Sequence, residues 1–199
     1  AAPTVAGTAA VGQTLSATAG TWSGSPVPKL AYQWLSCTND SSTDSCTPIT
    51  GATRNTFKLV TAQAATYIRV RVTATNSITA TNAFSTATAA IGSPPVASGT
   101  LTQSGTASVG STLTLTDGLT WVGYPTPSVS TQWYRCTAKV SRQAITVPAT
   151  CSAISGATSG TYLLTSDDSG KFVAPSRVAT SSAGTVNILA ISTATAIGQ

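Results

Sequence analysis

Two stretches a hundred residues apart constrain this chain most: Leu30–Cys37, Leu-Ala-Tyr-Gln-Trp-Leu-Ser-Cys, and Val129–Cys136, Val-Ser-Thr-Gln-Trp-Tyr-Arg-Cys. Each sets a Gln-Trp pair in a run of strand-forming residues and follows the tryptophan with a cysteine three residues on. On a strand, successive side chains point to opposite faces, so Tyr32, Trp34 and Ser36 share one face and Gln33, Leu35 and Cys37 the other. A tryptophan centred in such a run, with turn-rich sequence on both sides, predicts the core residue of a β-sandwich. Trp34 and Trp133 are therefore the expected centres of two cores, and hence of two domains.

At 199 residues the chain has room for two domains of about a hundred residues, each able to bury a core. Only 8% of residues are charged, against about 25% in ordinary soluble domains. Thr, Ser and Ala fill the gap and make up nearly half the chain. Threonine favours pleated, half-exposed surfaces over helix, so the composition is that of an all-β protein with a neutral hydroxyl surface. The formal charge of +5 comes from 10 cations against 5 anions. Arg69 and Arg71 are the nearest approach to a basic cluster, and nucleic-acid binding gains little support. No apolar run reaches the length of a membrane span. Without an initiator Met, the Ala-Ala start suits a form processed by signal-peptide cleavage. The four cysteines fall two per half, each pair flanking a loop. With His absent and no metal site to complete, disulfides in an oxidising, extracellular setting are expected.

The halves repeat in order. Gly7-Thr-Ala-Ala-Val-Gly-Gln-Thr-Leu-Ser16 matches Gly105-Thr-Ala-Ser-Val-Gly-Ser-Thr-Leu-Thr114, a Val-Gly turn leading into an alternating strand. Gly20-Thr-Trp22 and Gly118-Leu-Thr-Trp121 follow, then Pro-x-Pro bends at Pro26–Pro28 and Pro125–Pro127, which belong at an edge or crossover. After the tryptophan strand come Ile49-Thr-Gly-Ala-Thr53 and Ile154-Ser-Gly-Ala-Thr158, then short strands carrying Phe57 and Tyr162. The penultimate strand alternates strictly over Tyr67–Thr75. Its counterpart contains Pro175, which predicts an interruption or bulge. A final Thr/Ala strand is expected to close each half at Ile91-Gly92 and Ile197-Gly198. Domains are expected at 1–92 and 93–199, with a short, stiff joint at Gly92-Ser-Pro-Pro95.

This order of signals resembles the immunoglobulin-like tandem repeats of bacterial cell-surface and secreted proteins. The matching residues are Val11-Gly-Gln-Thr-Leu15, Gly20-Thr-Trp22, Tyr32-Gln-Trp34, Ile49-Thr-Gly-Ala-Thr53, Tyr67–Asn76 and their second-half counterparts. The resemblance implies two tandem immunoglobulin-like β-sandwich domains acting as spacers, stalks or adhesive modules, with no catalytic residues. Asp168-Ser-Gly-Lys-Phe172 is similar to the Asp-x-Gly-x-Tyr corner of such folds with Phe in the Tyr place, while Gln63-Ala-Ala-Thr-Tyr67 keeps only the Tyr. The cysteines do not match the inter-sheet bridge of antibody domains; Cys37–Cys46 and Cys136–Cys151 look instead like local staples across loops. Surface domains of this kind can carry a Lys–Asn isopeptide crosslink. Here Lys29, Lys58 and Lys171 do not combine with an acid and an Asn on neighbouring strands.

No nucleophile or acid–base set can be assembled without histidine, and the adjacent Asp167 and Asp168 read as a turn before the penultimate strand. The expectation is a protein that is not an enzyme and needs no cofactor. Asn39, Asp40 and Asp44 offer oxygens to calcium, though two carboxylates on a polar loop are more simply solvated. Asn39-Asp-Ser41 is a formal glycosylation sequon. Trp22, Trp121, Tyr124 and Tyr134 form a possible sugar-stacking set, or else cap the sandwich ends.

The expected function is structural and extracellular: a subunit of a cell-surface filament or sheath, or a segment of a repeat adhesin. The alternatives are a carbohydrate-binding accessory module and a phage decoration domain. Self-association or pairing with other copies of the repeat is the expected partnership, with surface glycans as a second. The cysteine loops differ most between the halves. Thr38–Ser45 carries Asp40 and Asp44, whereas the longer Thr137–Thr150 carries Lys139 and Arg142. Opposite charges at equivalent positions would let one copy's first domain face another's second, a heterologous contact that builds open filaments.

Overall fold

The computed structural model describes residues 1–193 and 197–198. Two compact units divide the chain, Ala1–Ser93 and Pro94–Gln199. The first contains β1 (Thr4–Ala6), β2 (Thr14–Thr18), β3 (Lys29–Cys37), β4 (Cys46–Pro48), β5 (Thr56–Lys58), β6 (Tyr67–Thr75) and β7 (Ala80–Phe84). Its two sheets have the orders β1-β2-β5 and β4-β3-β6-β7. The second unit contains β8 (Ser93–Ser104), β9 (Thr112–Tyr124), β10 (Ser128–Cys136), β11 (Cys151–Ala153), β12 (Thr161–Leu163), β13 (Phe172–Ser181) and β14 (Gly184–Leu189). Its sheets are β8-β9-β12 and β11-β10-β13-β14. In immunoglobulin lettering both units pair strands A, B and E against C′, C, F and G. They are two tandem immunoglobulin-like β-sandwiches.

The repeated motifs form one device. Trp34 and Trp133 are fully buried, and each indole N–H donates to a backbone carbonyl 2.8 Å away, that of Arg54 and of Ser159. Each indole stacks on the aromatic of the short E strand, Phe57 or Tyr162, at 5.7 Å. The Ile-x-Gly-Ala segment runs against the tryptophan strand: Ile49 N–H donates to Trp34 O, and Trp34 N–H to Ala52 O. Ile154, Trp133 and Ala157 repeat both bonds. The neighbouring glutamine completes the clasp, Gln33 and Gln132 each donating to the Ile carbonyl at 2.8 Å. Gly51 and Gly156 turn the segment at φ near +70°, a conformation costly for any other residue. Leu15, Leu59, Ile68, Val70 and Ile91 fill the first core around Trp34; Leu113, Leu164, Val173 and Ile197 fill the second around Trp133.

Three expectations need correction. Pro175 neither interrupts nor bulges its strand: β13 is continuous, and Pro175 lies opposite Trp133 in unbroken register. The first unit explains why. There Val70, in the equivalent place, gives its N–H to the Ser85 hydroxyl while its carbonyl accepts from Ser85 N–H. In the second unit Ala190 N–H donates to Pro175 O in the same way. Ala190 has no hydroxyl and proline has no N–H, so donor and acceptor vanish together. The Thr/Ala segment closing the first half is also only partly strand. Beyond β7 it follows β6 irregularly through Ser85 N–H to Val70 O, Thr88 N–H to Ile68 O and Ile91 N–H to Thr66 O. Its second-half counterpart includes residues 194–196, outside the described residues. The joint expected at Gly92–Pro95 is largely absorbed into β8, which starts at Ser93. Adjacent prolines suit the first turn of an edge strand, where missing donors leave little of the ladder unpaired.

Trp34→Ala and Trp133→Ala should each lower the unfolding free energy of their own unit by about 3–5 kcal/mol, with Trp22→Ala costing less. Chemical denaturation followed by fluorescence of the remaining tryptophans checks this, and equal small losses at Trp34 and Trp22 would be inconsistent with it. Pro175→Ala restores an N–H that points at Ala190 and should cost about 1–3 kcal/mol. Adding Ala190→Ser should recover much of that, as a double-mutant cycle would show.

Candidate functional site: the cysteine loops and the strand edges beside them

Both cysteine pairs are bonded, Cys37–Cys46 and Cys136–Cys151, with Cα atoms 3.9 Å apart. In each case the partners stand directly opposite across strands C and C′. The bonds tie off the loops at their bases, and the loops then behave differently.

The first loop is knitted from within. Asn39 Oδ1 accepts from the N–H groups of Ser41 and Ser42 and from the Ser41 hydroxyl, and Ser42 Oγ accepts from Asp44 N–H. The Asn39 oxygen is engaged within the loop, and both Asp40 and Asp44 are exposed. Among the described residues, no three His, Cys, Asp or Glu side chains are grouped to hold a metal ion. Arg69, on β6 and almost wholly buried, anchors the loop to the body. Its guanidinium donates to the Asp40 carbonyl and, at 2.8 Å, to the Ser85 carbonyl just past β7.

The second loop reaches the same region with its own backbone. Val140 and Ser192 exchange bonds, Val140 N–H to Ser192 Oγ and Ser192 N–H to Val140 O, both at 3.0 Å. Ala144 and Leu189 exchange N–H···O bonds as an antiparallel bridge on the outer side of β14. Gln143 then spans to the other sheet: Leu101 N–H donates to its Oε1 at 2.7 Å, and its Nε2 donates to the Gly99 carbonyl. Under this strap Cys136, Val140, Ala174 and Leu189 form a small second core, flanked by Tyr134 and Phe172. Ala174 occupies the place that Arg69 fills in the first unit. A long loop requires a small residue beneath it, and a short loop requires a long one to reach it. Lys139 and Arg142 stay exposed on the strap, as Asp40 and Asp44 do on the first loop.

A second polar constellation lies where the sequence reads only as a turn. Asp168 ends a 3-10 turn, Ser166–Asp168, and is fully buried. Arg135 Nε donates to its Oδ1 at 2.7 Å; the Tyr162 hydroxyl, Thr165 N–H and Thr165 hydroxyl all donate to Oδ2. Burial opposes ionisation of Asp168, but the Thr165 N–H, the Arg135 guanidinium and the Tyr162 hydroxyl outweigh it and hold the carboxyl below its ordinary value. Burial, followed by the hydrogen bond to Asp168, pushes Tyr162 up. The first unit has a neutral version: Gln63 Oε1 accepts from Val60 N–H at 3.1 Å, Phe57 replaces the tyrosine, and Ser36 bonds Thr66 where Arg135 would stand. The signal was present in the sequence as three linked differences, Ser36/Arg135, Phe57/Tyr162 and Gln63/Asp168. A solvent-exposed ion pair, Arg177 Nε to Asp117 Oδ2 at 2.7 Å, ties β13 to β9.

The aromatic set divides between the units, with Trp22 in the first and Trp121, Tyr124 and Tyr134 in the second. Trp22 donates its N–H to Ala19 O. Trp121 packs against Leu101, Ile188 and Ala190, and Tyr134 joins the core beneath the strap. All four aromatics, Tyr124 included, are half-buried.

No family model and no curated protein matches the chain. Among solved structures it is similar to a chimeric titin Z1Z2-Z1Z2 tandem functionalised with a GRGDS peptide from fibronectin, at 14% identity over 96% of this chain and 90% of that one, TM-score 0.24. It is likewise similar to the titin domains Z1Z2 in complex with telethonin, at 19% identity over 96% and 95%, TM-score 0.24. Superpositions at that level carry no argument, and the immunoglobulin-like assignment stands on strand order and register.

Because the folded-state value of Asp168 is depressed, its contribution is complete above the unfolded carboxylate pKa, about 3.9, and is lost as pH falls through the lower folded value. Acid should therefore weaken the second unit selectively, and Asp168→Asn should flatten that pH dependence in thermal melts. Arg135→Ala at neutral pH leaves a buried carboxylate without its cation and should cost about 3 kcal/mol, the lower end for a broken buried pair because the guanidinium is partly solvated.

Proposed function

We propose that the chain is a non-enzymatic structural protein of an extracellular assembly, a subunit of a filament or sheath or a segment of a repeat adhesin. The observation that carries this reading is where the polar chemistry goes. Asp168, Arg135, Arg69, Arg177 and Asp117 each bind another element of their own unit, so these charged groups serve cohesion. The surface left is hydroxyl-rich sheet over which the exposed charges, among them Lys29, Arg54, Lys58 and Asp167, are scattered. The two disulfides suit an oxidising environment, and among the described residues no helix is long and apolar enough to cross a membrane.

Exposed Asp40 and Asp44 on one anchored loop and Lys139 and Arg142 on the other support a head-to-tail contact between copies. Exposed pairs contribute little and are screened by salt, so they would set register and approach while strand or apolar contacts hold the assembly. Replacing Asp40 and Asp44 together by lysine should impair assembly at low salt, seen as shorter or absent fibres in negative stain. Adding Lys139→Glu and Arg142→Glu should partly restore it. Assembly unchanged by the aspartate reversals would remove the loops from the contact, and native material seen only as isolated particles would overturn the filament reading.

A further inference from the structure

We infer that β7 of the first unit is the strand through which two copies of this chain pair, antiparallel and about a two-fold axis at Asn82. The inference rests on the self-association proposed above and adds to its head-to-tail loop contact a second, two-fold contact between first units. A sheet edge exposes unpaired N–H and C=O groups, and proteins ordinarily blunt it with charge, proline, shortness or a covering segment. Those devices guard the other edges among the described residues. β1, β4, β5, β11 and β12 have three residues each. β8 carries Pro94 and Pro95 directly after its first residue, and Gln143 engages its Gly99 carbonyl and Leu101 N–H. β14 carries the cysteine strap, with Ala144 paired to Leu189 and Ile145–Val147 lining a groove beside Val186.

β7 has none of these. Its sequence, Ala80-Thr-Asn-Ala-Phe84, is uncharged and free of proline, and β6 is its sole partner in the sheet. The second unit shows what this place accepts. Phe84 is the counterpart of Leu189, whose outward N–H and C=O are paired antiparallel with Ala144; the first unit's shorter loop leaves that place open. Ser85 N–H points inward to Val70 O, so by strand alternation the groups of Phe84, Asn82 and Ala80 point outward. Outward groups on alternate residues of a five-residue strand complement a second copy of themselves: Ala80 faces Phe84 of the other chain, Asn82 faces Asn82, and Phe84 faces Ala80. Asn82 is held for this by the Thr73 hydroxyl, which meets its Oδ1 at 2.7 Å. The Arg69 guanidinium ends on the Ser85 carbonyl one residue past the strand, and Arg71 lies one strand in, opposite Phe84. Its copy would be three strand spacings away, about 14 Å, beyond the screening length at physiological salt.

Amide exchange at residue resolution on the intact, oxidised chain tests the pairing. On raising the concentration from dilute to millimolar, the Ala80, Asn82 and Phe84 amides should slow about tenfold or more, while inward Thr81 and Ala83 stay protected throughout. Asn82→Lys sets like charges across the axis and should hold the chain monomeric in sedimentation, as should Asn82→Asp. An equimolar mixture of the two variants should associate again. Association of the native chain with those three amides still exchanging freely would overturn the β7 contact and leave self-association intact. A mixture that stays monomeric would overturn the two-fold register. A native chain monomeric at every concentration would overturn both the contact and the self-association on which it rests.

Discussion

Everything else in each unit depends on how a buried indole is satisfied. A tryptophan at the centre of a sandwich contributes the largest apolar surface in the core, but its N–H must find a partner. Here it reaches the carbonyl of Arg54 or Ser159, at the end of the segment that also pairs with the tryptophan's own backbone. That segment turns at a glycine and is held again by the glutamine preceding the tryptophan. The clasp fixes where the E strand begins and so where Phe57 or Tyr162 meets the indole. The second sheet takes its place from there.

Around this shared centre the units meet the same demands with different chemistry, and the differences come in matched sets. Val70 with Ser85 becomes Pro175 with Ala190, removing a donor and an acceptor together. Gln63 with Phe57 and Ser36 becomes Asp168 with Tyr162 and Arg135, a neutral cap replaced by an ionised cage. Arg69 beneath a short loop becomes Ala174 beneath a long one. The first two sets obey one constraint, that a buried polar group keeps a partner or is absent, while Arg69 satisfies its two terminal nitrogens and leaves its Nε without a partner. A single member exchanged alone would leave its former partner stranded.

The third set also changes the outside of the molecule. The long loop of the second unit covers its last strand; the short loop of the first unit, held by one arginine, leaves the equivalent strand open. An internal packing choice thus decides which last strand is covered, and it gives the two units different surfaces from nearly the same fold.

From sequence alone came the all-β class, the two halves, the tryptophan centres and the staple character of the cysteine pairs. These follow from period-two alternation and local spacing, which are legible along a strand. Tertiary structure decided what depends on residues far apart in the chain. Pro175 reads as a strand breaker until Ala190, fifteen residues on, is seen to need nothing from it. Asp168 reads as a turn residue until Arg135 and Tyr162 arrive from two other strands. Trp121 and Tyr134 read equally as a sugar-stacking set or as caps of the sandwich ends until Leu101 and Ile188 are seen packing beside one and the core beneath the strap beside the other. Alternation shows which way a side chain points, whereas only the fold brings in the residue from another strand that satisfies or covers it.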